Sequence, residues 1–222
     1  MANFLDKVQP KNKAQLKSLI EYAFNHNIYD LNFIDTSKIT NMSNLFMNCE
    51  YDIDVSNWDV SNVTTTFCMF VGCKKFNSDL SNWDVSNVKN MNNMFYCCKN
   101  FDCDLSNWNV SNVTDMYSMF TACESFEGKG LDNWDVSKAE DMRFMFYNCK
   151  NFNCDLSNWD MSKALRINEM FYGCKNFEGK GLENWKLEKT LFYYDIFTGC
   201  DKVKLPSWYK AFLKRCNLEF FK

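Results

Sequence analysis

Tryptophan returns on a fixed ruler. Trp58, Trp83, Trp108, Trp134, Trp159 and Trp185 are separated by 25, 25, 26, 25 and 26 residues. A constant period in this range confines a chain to a repeat architecture, because one such unit cannot bury its apolar face alone and must stack on its neighbours. A second ruler agrees: Cys49, Cys73, Cys98, Cys123, Cys149, Cys174 and Cys200 recur at intervals of 24 to 26, each three residues after a Phe. It counts seven units. The first, "LNFIDTSKITNMSNLFMNC" at 31–49, has Ile34 in the Trp place; the seventh, "LENWKLEKTLFYYDIFTGC", keeps the apolar frame and loses the Asp-Val-Ser wording. One cysteine per period in the same apolar setting reads as a reduced, buried small hydrophobe rather than half of a disulfide.

Within a unit the pattern changes midway. In "NWDVS" (82–86) Trp83 and Val85 fall on one side, with Asn82, Asp84 and Ser86 on the other, which is strand alternation. From Val88 the apolar residues fall at Met91, Met94, Phe95 and Cys98. Steps of three and four predict a short helix, with Ser86 or Asn87 as its cap. Phe101 and Leu105 then lead back to the next strand. The expected fold is therefore α/β, a solenoid of strand–turn–short-helix units. Its Trp column would stand at one rung apiece, about 5 Å apart. Residues 1–30 form an N-terminal helical cap, 31–204 the seven repeats and 205–222 a C-terminal helical cap, all one domain. Leu16, Leu19, Ile20, Ala23 and Phe24 share one helical face, and Asn12 with Gln15 resembles a capping box. At the other end Pro206 marks a helix entry, and Trp208, Phe212 and Leu213 are there for packing.

The frame L-x-x-W-x-V-x-x-V/A-x-x-M resembles that of leucine-rich repeats, with Trp in the second leucine place. The fuller string "FNSDLSNWDVSNVKNMNNMFYCCKNF" resembles the BspA-like repeats of bacterial surface proteins over about residues 31–200. This resemblance implies a right-handed leucine-rich-repeat-like solenoid and a role in binding or adhesion. It carries over no catalytic residues.

Alternation makes the Trp and Val columns core and leaves the other face as the candidate surface. Its binding candidates are Asn82 and Asn107, then Asp59, Asp84, Asn109, Asp135 and Asp160, then Ser86 and Ser111. Two readings stand side by side: these side chains meet a ligand, or they hydrogen-bond the backbone from rung to rung. Binding surfaces draw on large aromatic and Arg anchors, whereas this strip repeats small polar residues. Variation lies elsewhere, in "KNMNN", "TDMYS", "EDMRF" and "RINEM", and in the seventh unit with Lys186, Glu188, Lys189, Phe192, Tyr193 and Tyr194.

The rest is exclusion. A formal charge of −3 argues against nucleic acid as a partner. No apolar run is long enough to insert in a membrane. "MANFLDKVQPKNKAQLKSL" lacks the marks of a secretory signal, so a cytoplasmic location is expected, with the cell surface as the alternative the resemblance implies. His26, the sole histidine, sits where a helix ends and reads as a capping contact rather than a catalytic group. Cys97, Cys98 and Cys103 read as ladder and connector positions rather than zinc ligands. The series Asp54, Asp79, Asp104 and Asp155 is broken by "EGKGL" in two units, against a calcium column. No cofactor and no catalysis are expected. The expected function is a non-enzymatic binding module, a monomer recognising a protein or host surface; the alternative is self-assembly through edges or caps.

Overall fold

The computed structural model describes residues 7–191 and 193–216. It corrects the expected architecture. Among the described residues α-helix occurs only as α1, Lys13–Asn25, and α2, Ser207–Arg215; two single 3-10 turns cover Leu131–Asn133 and Leu182–Asn184. No β-strand forms. Only isolated parallel bridges appear, one chain of them running Asn41, Thr65, Asn90, Asp115, Asp141, Arg166. The leucine-rich-repeat-like solenoid of strand–turn–short-helix units is thus overturned. What stacks is turn on turn.

The physical reason lies in the spacing. Apolar residues three apart are the two ends of a four-residue turn as readily as they are neighbours on a helix. In the third unit the N–H groups of Trp83, Val88, Met94, Cys98 and Phe101 donate to the carbonyls of Leu80, Val85, Met91, Phe95 and Cys98, all three residues back. Each turn starts and ends on a buried side chain and raises its two middle residues outward. A helix cannot run through this segment, because two residues per unit are left-handed. They are Asn44 and Asn48, Cys68 and Gly72, Asn93 and Cys97, Ser118 and Ala122, Phe144 and Asn148, Glu169 and Gly173, Asp195 and Gly199. A left-handed residue at the third position is what a type II turn requires. The Trp-x-Val segment is too short between two turns to build a ladder. Trp134, at φ −70° and ψ 128°, lies closer to polyproline II than to a strand.

Backbone groups in this coil are shared between a unit and its neighbour. Met91, Asn93, Phe95 and Cys97 donate N–H to the carbonyls of Asp115, Tyr117, Met119 and Thr121 in the next unit, at 3.0, 2.8, 2.9 and 2.7 Å. The amides between them turn back on their own unit. On another flank the direction reverses: Thr114, Glu140 and Leu165 donate to Lys89, Thr114 and Glu140 of the preceding unit. Buried backbone groups in these turns are thereby paired without a sheet or helix.

Side chains repeat the same logic. The indole N–H of Trp58, Trp83, Trp108, Trp134, Trp159 and Trp185 donates to the carbonyl of Leu31, Val55, Leu80, Leu105, Leu131 and Leu156, one unit back. Trp208 of α2 adds a further step by donating to Leu182 at 2.8 Å. The rings of Trp83, Trp108 and Trp134, and those of Trp159, Trp185 and Trp208, stack within 12° of parallel, Trp83–Trp108 at 6.5 Å and Trp185–Trp208 at 6.3 Å, wider than the expected strand spacing. A Phe column through Phe46, Phe70, Phe95, Phe120, Phe146, Phe171 and Phe197 stacks at 5.4 to 5.8 Å. Beside it, the thiols of Cys73, Cys98, Cys123, Cys149, Cys174 and Cys200 each point at the Phe carbonyl of the previous unit, at 2.8 to 3.0 Å. Burial drives the thiol of Cys98, Cys123 and Cys174 well above its ordinary value, so these cysteines stay protonated donors.

At the N-terminal end, Asn12 caps α1 by accepting from the Gln15 N–H at 3.0 Å, while the Gln15 side chain accepts from the Lys11 N–H at 2.8 Å. Leu16, Ile20 and Ala23 are buried against the first coil. The end of the expected C-terminal cap, 217–222, and Phe192 lie outside the described residues.

Candidate functional site

The polar rows read from the sequence do lie outside the core. Asp59, Asp84, Asn109, Asp135 and Asp160 are exposed, as are Asn82 and Asn107; Ser86 and Ser111 are half-buried. Each acid or amide of the middle row serves a turn. Asp59, Asp84, Asn109, Asp135 and Asp160 accept the N–H of Ser61, Ser86, Ser111, Ser137 and Ser162 through Oδ1, at 2.9 to 3.1 Å. This Asx turn holds the corner between two buried residues. Asn107 donates to the Ser81 carbonyl at 3.2 Å, and the Ser86 carbonyl accepts from Asn112 at 2.8 Å. The connector series behaves alike: Asp54, Asp79, Asp104 and Asp155 accept from Ser56, Ser81, Ser106 and Ser157. Among the described residues no three His, Cys, Asp or Glu side chains converge as a metal site. His26 Nδ1 lies 2.8 Å from the Tyr22 carbonyl oxygen on α1.

These hydrogen bonds have a measurable consequence. Those from the Ser86 and Ser137 hydroxyls and N–H groups hold Asp84 and Asp135 below the ordinary carboxylate value, and those from Ser162 do so for Asp160. A carboxylate depressed in the fold stabilises it fully above its unfolded value, and that contribution is lost as pH falls through the lower folded value. Melting temperature is therefore expected to drop on acidification below about pH 4. The triple variant Asp84→Asn, Asp135→Asn, Asp160→Asn keeps the turn acceptor, as Asn109 already does, but cannot titrate. Its melting temperature should fall less steeply over the same range; parallel curves would show that these turns do not sense charge.

A second surface emerges that alternation could not reveal. The outward residues of the turn pair carrying the left-handed positions differ from unit to unit. Position by position they are Ser43, Phe67, Asn92, Tyr117, Arg143, Asn168 and Tyr194, and beyond them Met47, Val71, Tyr96, Thr121, Tyr147, Tyr172 and Thr198, of which Asn168 and Thr121 are covered by their neighbours. Large side chains gather on the fourth to sixth units. The Tyr147 and Tyr172 rings stack at 4.7 Å and 8°. Phe144 meets Tyr117 edge-on at 5.6 Å and Tyr147 at 6.0 Å. The Arg143 guanidinium lies 5.0 Å from the centre of the Tyr117 ring and donates to the Asp141 carboxylate, from Nε at 2.9 Å and from Nη2 at 2.6 Å. Burial, then the neighbouring Tyr172, push the Tyr147 phenol up, so at neutral pH its hydroxyl is a donor. The Asp141 hydrogen bond raises Arg143 further and fixes its charge.

Phe144 occupies one of the left-handed positions, at φ 58°. For a bulky residue this backbone costs about 1 kcal/mol, and the equivalent place in other units is filled by Asn44 and Asn93. The sequence carried a trace of this surface in the variable "TDMYS" and "EDMRF" strings. Without knowing that those residues lie on turn tips, their neighbours in space could not be assigned.

A stack of turn-built coils whose outer residues vary while its inner ones repeat is a tandem-repeat protein. Residues 14–131, and again 100–209, match the family described as Mycoplasma protein of unknown function, DUF285. The chain belongs to that family. No curated protein matches it.

Proposed function

We propose that this protein is a non-enzymatic binding module of the BspA-like kind, and that it grips a protein partner with the aromatic surface around Phe144. The observation that carries this reading is the cluster of Tyr117, Arg143, Phe144, Tyr147 and Tyr172, half-buried side chains in mutual contact on the outside of an otherwise repetitive coil. Tyr and Arg anchors of this type dominate the energetics of protein recognition. Phe144 adds a second support, since strained backbone is retained where something other than stability holds it in place. Adhesion to a surface component, with the module displayed outside the cell, is the setting that the BspA-like reading favours. The polar strip of Asp84, Asp135 and Asp160 is the competing surface.

Capture of partners from host and self lysates separates the two. Three baits are compared: the native chain, Phe144→Asn with Tyr172→Ala, and the triple Asp84→Lys, Asp135→Lys, Asp160→Lys. The aromatic variant is expected to melt within a few degrees of the native chain, because Asn relieves the left-handed strain, and to retain its partner at least tenfold less. Loss of the partner only from an equally stable triple-Lys variant would move the site to the polar strip. Retention by both variants would overturn both assignments.

A further inference from the structure

The two ends of the coil are complementary in hydrogen bonding. At every internal junction the amides at the two left-handed positions reach across: Asn93 and Cys97 donate to Tyr117 and Thr121, Ser118 and Ala122 to Arg143 and Tyr147, Phe144 and Asn148 to Asn168 and Tyr172. In the seventh unit the corresponding donors are the N–H groups of Asp195 and Gly199, and among the described residues no acceptor faces them. In the first unit the corresponding acceptors are the carbonyls of Ser43 and Met47, and among the described residues no donor faces those. One end therefore offers N–H groups and the other C=O groups at matching positions. α2 covers Phe197 between the two donors, and Leu45 is buried between the two acceptors, so the outer pair at each end is what stays open.

Exposed apolar side chains mark the same two places. At the first coil and α1 they are Met47 at 45%, Tyr51 at 41% and Tyr22 at 58% exposure; on the seventh coil they are Leu191 at 67% and Tyr194 at 49%. Beside Tyr194 a groove of about 890 Å³ runs between the last coil and α2, lined by Val203, Leu205, Tyr209, Phe212 and Leu213. An unmatched edge of this kind is a template for more of the same chain.

We propose that the occupant is a second copy of this protein, added head to tail: its first coil meets the seventh coil of the copy before it. Asp195 and Gly199 donate to Ser43 and Met47 of the second copy, whose Met47 and Tyr51 side chains lie against the groove. Because the two surfaces differ, the contact is head to tail rather than two-fold, and each added copy presents a further free end for the next. This association is independent of the aromatic surface proposed for recognition.

Sedimentation across a wide concentration range tests it with three proteins: the native chain, a first-coil variant Met47→Asp with Tyr51→Asp, and a seventh-coil variant Leu191→Asp with Tyr194→Asp. All substituted residues are exposed, and matching melting temperatures confirm that each variant folds. The native chain is expected to exceed the mass of a dimer as concentration rises, each variant alone to stay monomeric, and an equimolar mixture of the two to stop at a dimer. A native chain that is monomeric throughout overturns the proposal. So does a variant that still dimerises alone, which would mean like ends pair with like.

Discussion

Replacing Trp108 by Ala is expected to lower the stability by about 4 kcal/mol, the upper range for removing a large buried aromatic. Trp108 is buried, stacks between Trp83 at 6.5 Å and Trp134 at 6.3 Å, and donates its indole N–H to the Leu80 carbonyl at 2.9 Å. Its loss opens a cavity that both neighbouring coils share. Trp108→Phe separates the contributions. It keeps most of the ring and deletes the donor, but the Leu80 carbonyl retains the Trp83 N–H at 3.1 Å, so the cost should fall to about 1–2 kcal/mol. Position in the stack matters as well. Each coil touches only its neighbours, so a break in the middle uncouples the two halves. Urea unfolding read by Trp fluorescence and by far-ultraviolet circular dichroism should give one coincident transition for the native chain and two separated ones for Trp108→Ala. Coincident curves at an unchanged midpoint would mean that the Trp column is not the element that holds coil to coil.

That column was open to inspection in the sequence, and so was the burial it implies. The interval between tryptophans, the single thiol per period and the inward Trp and Val follow from periodicity alone, since side chains that repeat in a stack must either all be covered or all be exposed. Local geometry was not legible. Val88, Met91, Met94, Phe95 and Cys98 are spaced as a helix would space them, yet the same steps of three join the ends of successive turns. What decides between the two is the sign of φ at Asn93 and Cys97. Asn at that place is a hint, but Ser118, Phe144 and Glu169 in other units are not residues that announce a left-handed backbone. The candidate site suffered from the same ambiguity. Asp84 and its counterparts could be assigned to the outside, whereas Tyr117, Phe144, Tyr147 and Tyr172 meet only after the turns have been folded, because their neighbours come from different units.

Gly130→Ala is expected to cost about 3 kcal/mol or more, although it adds one methyl group. Two units are a residue longer than the rest, and in both the extra residue sits in "EGKGL". The chain absorbs it in a 3-10 turn, Leu131–Asn133 or Leu182–Asn184, entered through a left-handed glycine at φ 85°. At Gly130 a Cβ would come closer than 3.0 Å to the backbone N and Cα of Ser106 in the preceding coil, and at Gly181 to those of Ser157. Backbone cannot swing aside as a side chain can, so the coils would have to part, and Trp134, which follows immediately, would lose its register against Trp108. Gly199→Ala supplies the comparison. It has a similar φ of 76°, but its Cβ meets only Gly173 at 3.3 and 3.4 Å, so conformational strain acts almost alone and about 1 kcal/mol is expected. Chemical denaturation of the two variants measures the difference. Equal losses would assign these glycines to φ alone; a loss at least twice as large at Gly130 would show that the coils approach each other too closely there for any side chain, and that the longer units fit the stack only because glycine lets backbone touch backbone.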